Sequence, residues 1–467
     1  MSTPAPIRKD EEETENVIAG SDEKALEDGF QEDVVDESQD EMEDTAASLT
    51  DVLDEDVQND AACLNARPVP RITIHGFCES PETGMVLQRA ASDRRLAKAH
   101  VTVHMGGIPA AVEQYKESVT PNLLLVEDRG SRDQVFENLA ALATVCDPTT
   151  KVVVIGATND VTLYRELIRQ GVNEYLVMPL TPIQIIDSIS TIYVDPAAPP
   201  VGRTIAFIGA KGGVGSSTMA HNVGWCISER IDEDVTIIDM DLSFGTAGLD
   251  FNQDPTQGIA DALTAPDRLD DVLLDRLLVK CNEHLSLFAA PSVLDRDFDL
   301  DPESFEQVLE IVRSMVPSVI IDLPHIWSNW TKHILLSSDE VVITATPDLA
   351  NLRNAKNLVD LIRSARPNDA PPRLVLNQMG VQKRPEIPAK DFAEAIGGAP
   401  ALEIPFDAKL FGDASNNGQM IGEISGGGKV ADGFADLAQL VSGREAPAPA
   451  PNKLLSWLGV SGLLKNK

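Results

Sequence analysis

The chain has 467 residues, enough for two or three domains with cores of their own. It carries 74 Asp and Glu against 38 Lys and Arg, a formal net charge of −36, and this balance argues against the basic patch that a nucleic-acid partner requires. Its five cysteines (Cys63, Cys78, Cys146, Cys226, Cys281) contain no C-x-x-C pair, so neither a disulfide framework nor a zinc or iron–sulfur site is expected.

The charge is concentrated at the start. Residues 1–60 hold 22 of the 74 acids and only Arg8, Lys9 and Lys24 as bases. Such a stretch repels itself and has little apolar surface to bury, which predicts a disordered tail over 1–67, either a solubilising leader or a docking segment for a basic partner. The first 30 residues are acidic rather than basic and then apolar, and no run approaches 18 apolar residues. No signal peptide and no membrane span is therefore expected, and the cytoplasm is the expected compartment.

The next unit, 68–195, alternates strands and helices. RITIHGF (71–77), AHVTVHM (99–105), PNLLLVED (121–128), KVVVIGAT (151–158) and NEYLVMP (173–179) are apolar runs separated by amphipathic stretches. Five near-continuous apolar strands with helical crossovers predict a doubly wound parallel sheet. The order, with its closing GVNEYLVMPLTPIQI, resembles response-regulator receiver domains. The resemblance implies a phosphoacceptor at the end of the third strand, where this chain has Glu127 followed by Asp128. The lysine before the last proline is Met178, ahead of Pro179, and HGFCES supplies no acidic pair for magnesium. The unit is therefore expected to have lost phosphotransfer and to serve protein contact.

A Pro-rich joint, with the linker at 196–202, leads to a second unit at 203–443. RTIAFIGA is an apolar strand, KGGVGSS a glycine turn, and TMAHNVGWCISER opens a helix. Strand, glycine loop and helix is the context of a phosphate-binding loop, where small residues let backbone N–H groups converge on phosphate oxygens at a helix N-terminus. The form G-x-x-x-x-G-K-[ST] is matched imperfectly: Ala210 stands for the first glycine, Gly215 for the second, Ser216 for the lysine and Ser217 for the hydroxyl. VTIIDMDLSFGTAGLDF (235–251) reads as a buried strand ending in Asp239 and Asp241, and PSVIIDLP (317–324) as another ending at Asp322. Carboxylates at the C-terminal ends of strands face the ligand crevice of an open α/β sheet.

K-G-G-V-G followed by D-x-D and a late apolar run ending in Asp resembles the deviant Walker A pattern of the MinD/ParA family of dimerising P-loop ATPases. LVLNQ (374–378) and EIPFDAKLFGDASNNGQMI (403–421) are similar to that family's adenine-side loops. The resemblance implies ATP and Mg²⁺ as cofactors and a nucleotide-dependent homodimer. It further implies that Lys211 reaches across the dimer to the partner's phosphates, and that the backbone of Gly212, Gly213, Val214, Gly215, Ser216, Ser217 and Thr218 cradles phosphate. By the same resemblance Asp241 orients the attacking water, Ser217, Asp239 and Asp322 serve the metal, and Asn377 and Pro405 flank adenine. Ser216 is the departure. A charge-assisted contact is lost there, about 1.5 to 3 kcal/mol or roughly 10- to 150-fold in affinity, and hydrolysis, which needs charge neutralised in its transition state, suffers more.

The receiver-like unit together with G-G-V-G-S-S-T and the stretch 258–291 resembles the CpaE/TadZ family of Flp (tight adherence) pilus assembly proteins. That implies a cytoplasmic factor at a cell pole or inner-membrane site that binds ATP, dimerises, hydrolyses slowly and recruits the pilus secretion machinery, with pilus assembly and secretion components and polar landmark proteins as partners. A positioning ATPase for another cargo and a scaffold that binds no nucleotide remain as alternatives. Beyond a Pro/Ala linker at 444–452, residues 453–467 (KLLSWLGVSGLLKNK) carry three lysines and no acid. They suit weak contact with an anionic inner-membrane surface, docking onto a partner, or a disordered tail.

Overall fold

Leu123–Glu127 illustrates how this chain builds sheet: LLLVE is apolar on both faces, and all five residues are buried. Strands of this kind need helices on each side. The computed structural model describes residues 69–193, 201–291, 293–294 and 301–443. The tail at 1–67, residues 196–200 of the linker, and the segments 444–452 and 453–467 lie outside the described residues.

The first sheet comprises β1 (Thr73–Cys78), β2 (His100–Met105), β3 (Leu123–Glu127), β4 (Lys151–Gly156) and β5 (Glu174–Val177). All are parallel, in the order β2-β1-β3-β4-β5. Alternate residues of β3 feed two cores: Leu124 and Val126 pack with Phe77, Ile108 and Leu167, while Leu123 and Leu125 pack with Ile74, Leu87 and Ile186. The chain order reverses between β1 and β3, so a crevice is expected at the C-terminal ends of those two strands. The Met178–Pro179 peptide is cis.

The second sheet comprises β6 (Arg203–Gly209), β7 (Val235–Asp239), β8 (Val279–Lys280), β9 (Leu285–Phe288), β10 (Ser318–Asp322), β11 (Glu340–Ala345), β12 (Arg373–Met379) and β13 (Leu402–Pro405). Their order is β13-β12-β11-β6-β10-β7-β9-β8, parallel except for the β8–β9 pair. This is the second α/β layer the sequence predicts, and β6 occupies its centre. One boundary differs from expectation. The strand beginning at 235 stops at Asp239, because Asp239 accepts hydrogen bonds from the backbone N–H of Asp241 (3.1 Å) and of Ala247 (3.2 Å) and so turns the chain over its own carboxylate. Asp241 therefore sits in the turn rather than on the strand. Among the described residues no helix is long and apolar enough to cross a membrane.

Candidate functional site

The loop after β6 is held from behind. Ala210 N–H donates to the Thr344 carbonyl at 2.8 Å, and the Ala210 carbonyl accepts from Asn354 Nδ2 at 2.8 Å. Asn377 Nδ2 donates to the Val214 carbonyl (2.8 Å) and Gln378 Nε2 to the Gly213 carbonyl (3.2 Å). Gly213 (φ +80°) and Gly215 (φ +88°) are left-handed, a conformation that a side chain resists. At Gly215 a Cβ would also lie 2.7 Å from Asn377 Nδ2, whereas at Gly212 and Gly213 it would meet open space. The helix Ser216–Arg230 starts directly at Gly215, which offers its first amides no side-chain cap. Those amides have no intrahelical partner and carry the positive end of the helix dipole, which suits a phosphate.

Ser216, Ser217 and Thr218 form the first turn of that helix, and the Ser216 hydroxyl oxygen is buried without a hydrogen-bond partner. Lys211 is exposed on the loop. The Asp348 carboxyl is held below its ordinary range, against the effect of burial, by hydrogen bonds from Asn351 and Thr346 and by the Lys211 charge.

Two carboxylates face each other across the neighbouring strands. Asp239 and Asp322 are register partners in β7 and β10, and both are buried. Burial and the adjacent Asp322 push the Asp239 carboxyl up to about 7. Asp322 Oδ1 has no hydrogen-bond partner. Asp241 is half-buried and accepts from Phe244 N–H at 3.1 Å.

His221 is the residue the sequence reading missed. It lies on the loop helix, wholly buried, with Nδ1 2.7 Å from Asp250 Oδ2 and Nε2 3.4 Å from Asp322 Oδ2. Burial pulls its pKa down, but the Asp250 hydrogen bond and the Asp322 carboxylate outweigh burial and raise it to about 10. A lone histidine in a helix reads as core. The available signal was its place four residues after Ser217, on the same helix face as the hydroxyl.

The donor set fits magnesium. A hydroxyl and carboxylate oxygens are hard ligands, and this ion is held by one or two carboxylates together with substrate phosphates rather than by a cage of protein ligands. Asp322 Oδ1, at the end of β10, is a buried oxygen without a hydrogen-bond partner. Asn377 is buried against the loop, and Pro405 is exposed at the end of β13, opposite Met379 of β12. Beside the loop, Gly209, Ala210, His325, Trp327 and Asn354 line a cavity of about 460 Å³.

The first sheet closes the corresponding site on itself. Glu127, at the end of β3, is fully buried and accepts from the N–H groups of Glu79 (2.8 Å) and Ser80 (3.0 Å), the Ser80 hydroxyl (2.9 Å) and Arg129 Nε (2.7 Å). Burial alone would raise its pKa; these donors hold it below the usual carboxylate range. Asp128 is likewise engaged, by Gly130 N–H and Asn138 Nδ2, both at 2.8 Å. Met178 takes contacts from Thr83 and Arg129 through its sulfur. The carboxylate at the acceptor position is thus engaged by the chain's own donors.

A family model described as an AAA domain matches residues 202–372. The septum site-determining protein MinD of Bacillus subtilis is 23% identical over 265 residues, covering 53% of this chain and 91% of that protein. The crystal structure of the pilus assembly protein CpaE from Caulobacter crescentus CB15 is 49% identical and covers 28% of this chain and 98% of that one, with a TM-score of 0.27. A CpaE2 pilus assembly protein structure from Sinorhizobium meliloti 1021 is 40% identical, covering 26% and 99%, with a TM-score of 0.26. The identity extends over nearly the whole of both solved chains. Fold and site together define a P-loop α/β protein of MinD/ParA type joined to a receiver-like sheet. Within that class, the chain belongs to the CpaE family.

Proposed function

We propose that this protein is a pilus assembly and localisation factor that binds ATP with magnesium, dimerises, and hydrolyses slowly. The observation that carries the reading is the glycine loop opening the helix Ser216–Arg230 beside the paired carboxylates Asp239 and Asp322. In this reading the amides of Gly212 to Thr218 hold the phosphates, with Ser217 and Asp322 toward the metal and Asp239 behind them. Bound magnesium supplies neutralisation of phosphate charge. Asp241 orients water, Asn377 and Pro405 border the base, and the chain divides into modules at 68–195 and 203–443. Slow turnover follows from Ser216, a neutral side chain where charge is needed.

Dimerisation is supported by exposed apolar side chains beyond the C-terminal ends of the second sheet's strands: Phe244 after β7, Ile326 and Trp327 after β10, Leu349 at the start of the helix after β11 and Phe406 after β13. Exposed large apolar side chains grouped along one edge of a sheet suit an interaction site. The CpaE relatives support a pilus-assembly setting; in this reading the partners are secretion components and polar landmarks at the cell pole or inner-membrane face. Titration calorimetry with ATP and Mg²⁺ on the full chain, followed by sedimentation with and without nucleotide, tests the proposal. Saturable binding with a shift from monomer to dimer is expected, and absence of binding at millimolar ATP refutes it in favour of a nucleotide-free scaffold.

A further inference from the structure

A short helical turn at Arg94–Leu96 in the first sheet's module meets the second at its edge opposite the phosphate loop. Arg94 Nε lies 2.8 Å from Asp369 Oδ2, and its NH1 lies 2.9 Å from Asp339 Oδ1. Arg95, only 1% exposed, grips both oxygens of Asp93 at 3.0 Å and pairs with Asp369 through its other terminal nitrogen. Asn368 Nδ2 donates to Asp93 at 3.0 Å. These four charged side chains, Arg94, Arg95, Asp339 and Asp369, are each less than a fifth exposed. Exposed ion pairs contribute little to docking. Desolvated ones are different, since removing a partner strands the other charge, so such a lattice enforces a single docking register.

The two acids do not end there. Asp339 Oδ2 accepts from Thr204 N–H and Oγ1, both at 2.9 Å, at the start of β6. Asp369 accepts from Arg366 Nε at 2.6 Å, and Arg366 is the C-cap of the helix Leu349–Ala365. Both elements finish at one residue. β6 runs into Ala210, and Asn354, near the start of that helix, donates to the Ala210 carbonyl. The distances agree: about 20 Å for the six residues of extended strand from Thr204, and about 18 Å for the twelve helical residues from Arg366 back to Asn354.

We propose that the receiver-like module positions the phosphate loop from the far edge of the sheet, through the Arg94/Arg95–Asp339/Asp369 lattice and the two rigid elements that converge on Ala210. The module is then a resident partner surface of the ATPase module, and whatever binds it alters the loop by straining or relaxing this lattice. The inference does not depend on nucleotide being bound.

Hydrogen–deuterium exchange on the full chain without nucleotide decides it. In Arg94→Ala, and separately in Asp369→Asn, amide exchange should quicken about 10-fold both around 90–99 and in the loop 210–217. Lys116→Ala, which removes an exposed pair with Glu113, should change neither. Faster exchange at 90–99 with an unchanged loop overturns the proposal. A second measurement guards against a variant that misfolds. All four tyrosines (Tyr115, Tyr164, Tyr175, Tyr193) lie in the first module, and Trp225, Trp327 and Trp330 lie in the second. Urea unfolding of the wild-type chain should give coincident tyrosine and tryptophan transitions, which separate in either variant; wild-type transitions that are already separate refute the docking itself.

Discussion

His221 is the residue whose chemistry is most tightly drawn. Its imidazole lies between Asp250 and Asp322, with no access to water. His221→Gln should lower stability by about 3 to 5 kcal/mol, the cost of breaking a buried pair, as read by urea unfolding. The sign with pH follows from the raised pKa. The folded value is about 10 and the unfolded one about 6.5, so the stabilisation is complete below pH 6.5 and fades as pH rises toward 10. The variant should show a flatter profile across that window. At the other site, Glu127→Asp should not create a phosphoacceptor, because no acidic pair for magnesium stands in HGFCES and the Glu79 and Ser80 amides and Arg129 already engage that carboxylate. Incubation with acetyl phosphate and a phosphate-affinity gel should show no shifted band.

At the scale of elements, the strand, loop and helix around 203–230 make the sharpest claims. Gly215→Ala forces a Cβ into a left-handed backbone and toward Asn377 Nδ2, 2.7 Å away. The strain costs about 1 to 2 kcal/mol, and calorimetry should show ATP affinity reduced by roughly 10-fold or more. Ser216→Lys should act oppositely, tightening ATP by about 10- to 150-fold, since the neighbouring loop contacts are in place. Most of these elements were legible in the sequence because parallel strands buried on both faces read as unbroken apolar runs, as in LLLVE and SVIID. The carboxylates Asp239 and Asp322 were legible because strand ends announce themselves. What escaped were groups whose meaning depends on a distant partner. Arg94 bears no local motif, yet it binds acids 245 and 275 residues further on. Asp241 was placed on the strand because no pattern reveals a chain that turns over its own Asp239 side chain.

For the whole molecule, the exposed apolar rim around the loop and the exposed Lys211 predict that assembly and nucleotide are linked. Lys211→Ala should weaken the ATP-dependent dimer in sedimentation while leaving the unfolding free energy of the nucleotide-free chain within about 0.5 kcal/mol of wild type, as for other exposed positions. The buried Glu127 has a consequence of another kind. A domain that stores a phosphoryl group owns a clock, since its signal persists until the acyl phosphate is cleaved, however briefly the sender was present. Here the acceptor position is occupied by the protein's own hydrogen bonds. If the module is read by partner contact and not by a phosphoryl group, its signal would last only as long as the partner stays, a residence time set by dissociation. Such a module would report who is present now and keep no record of who has left.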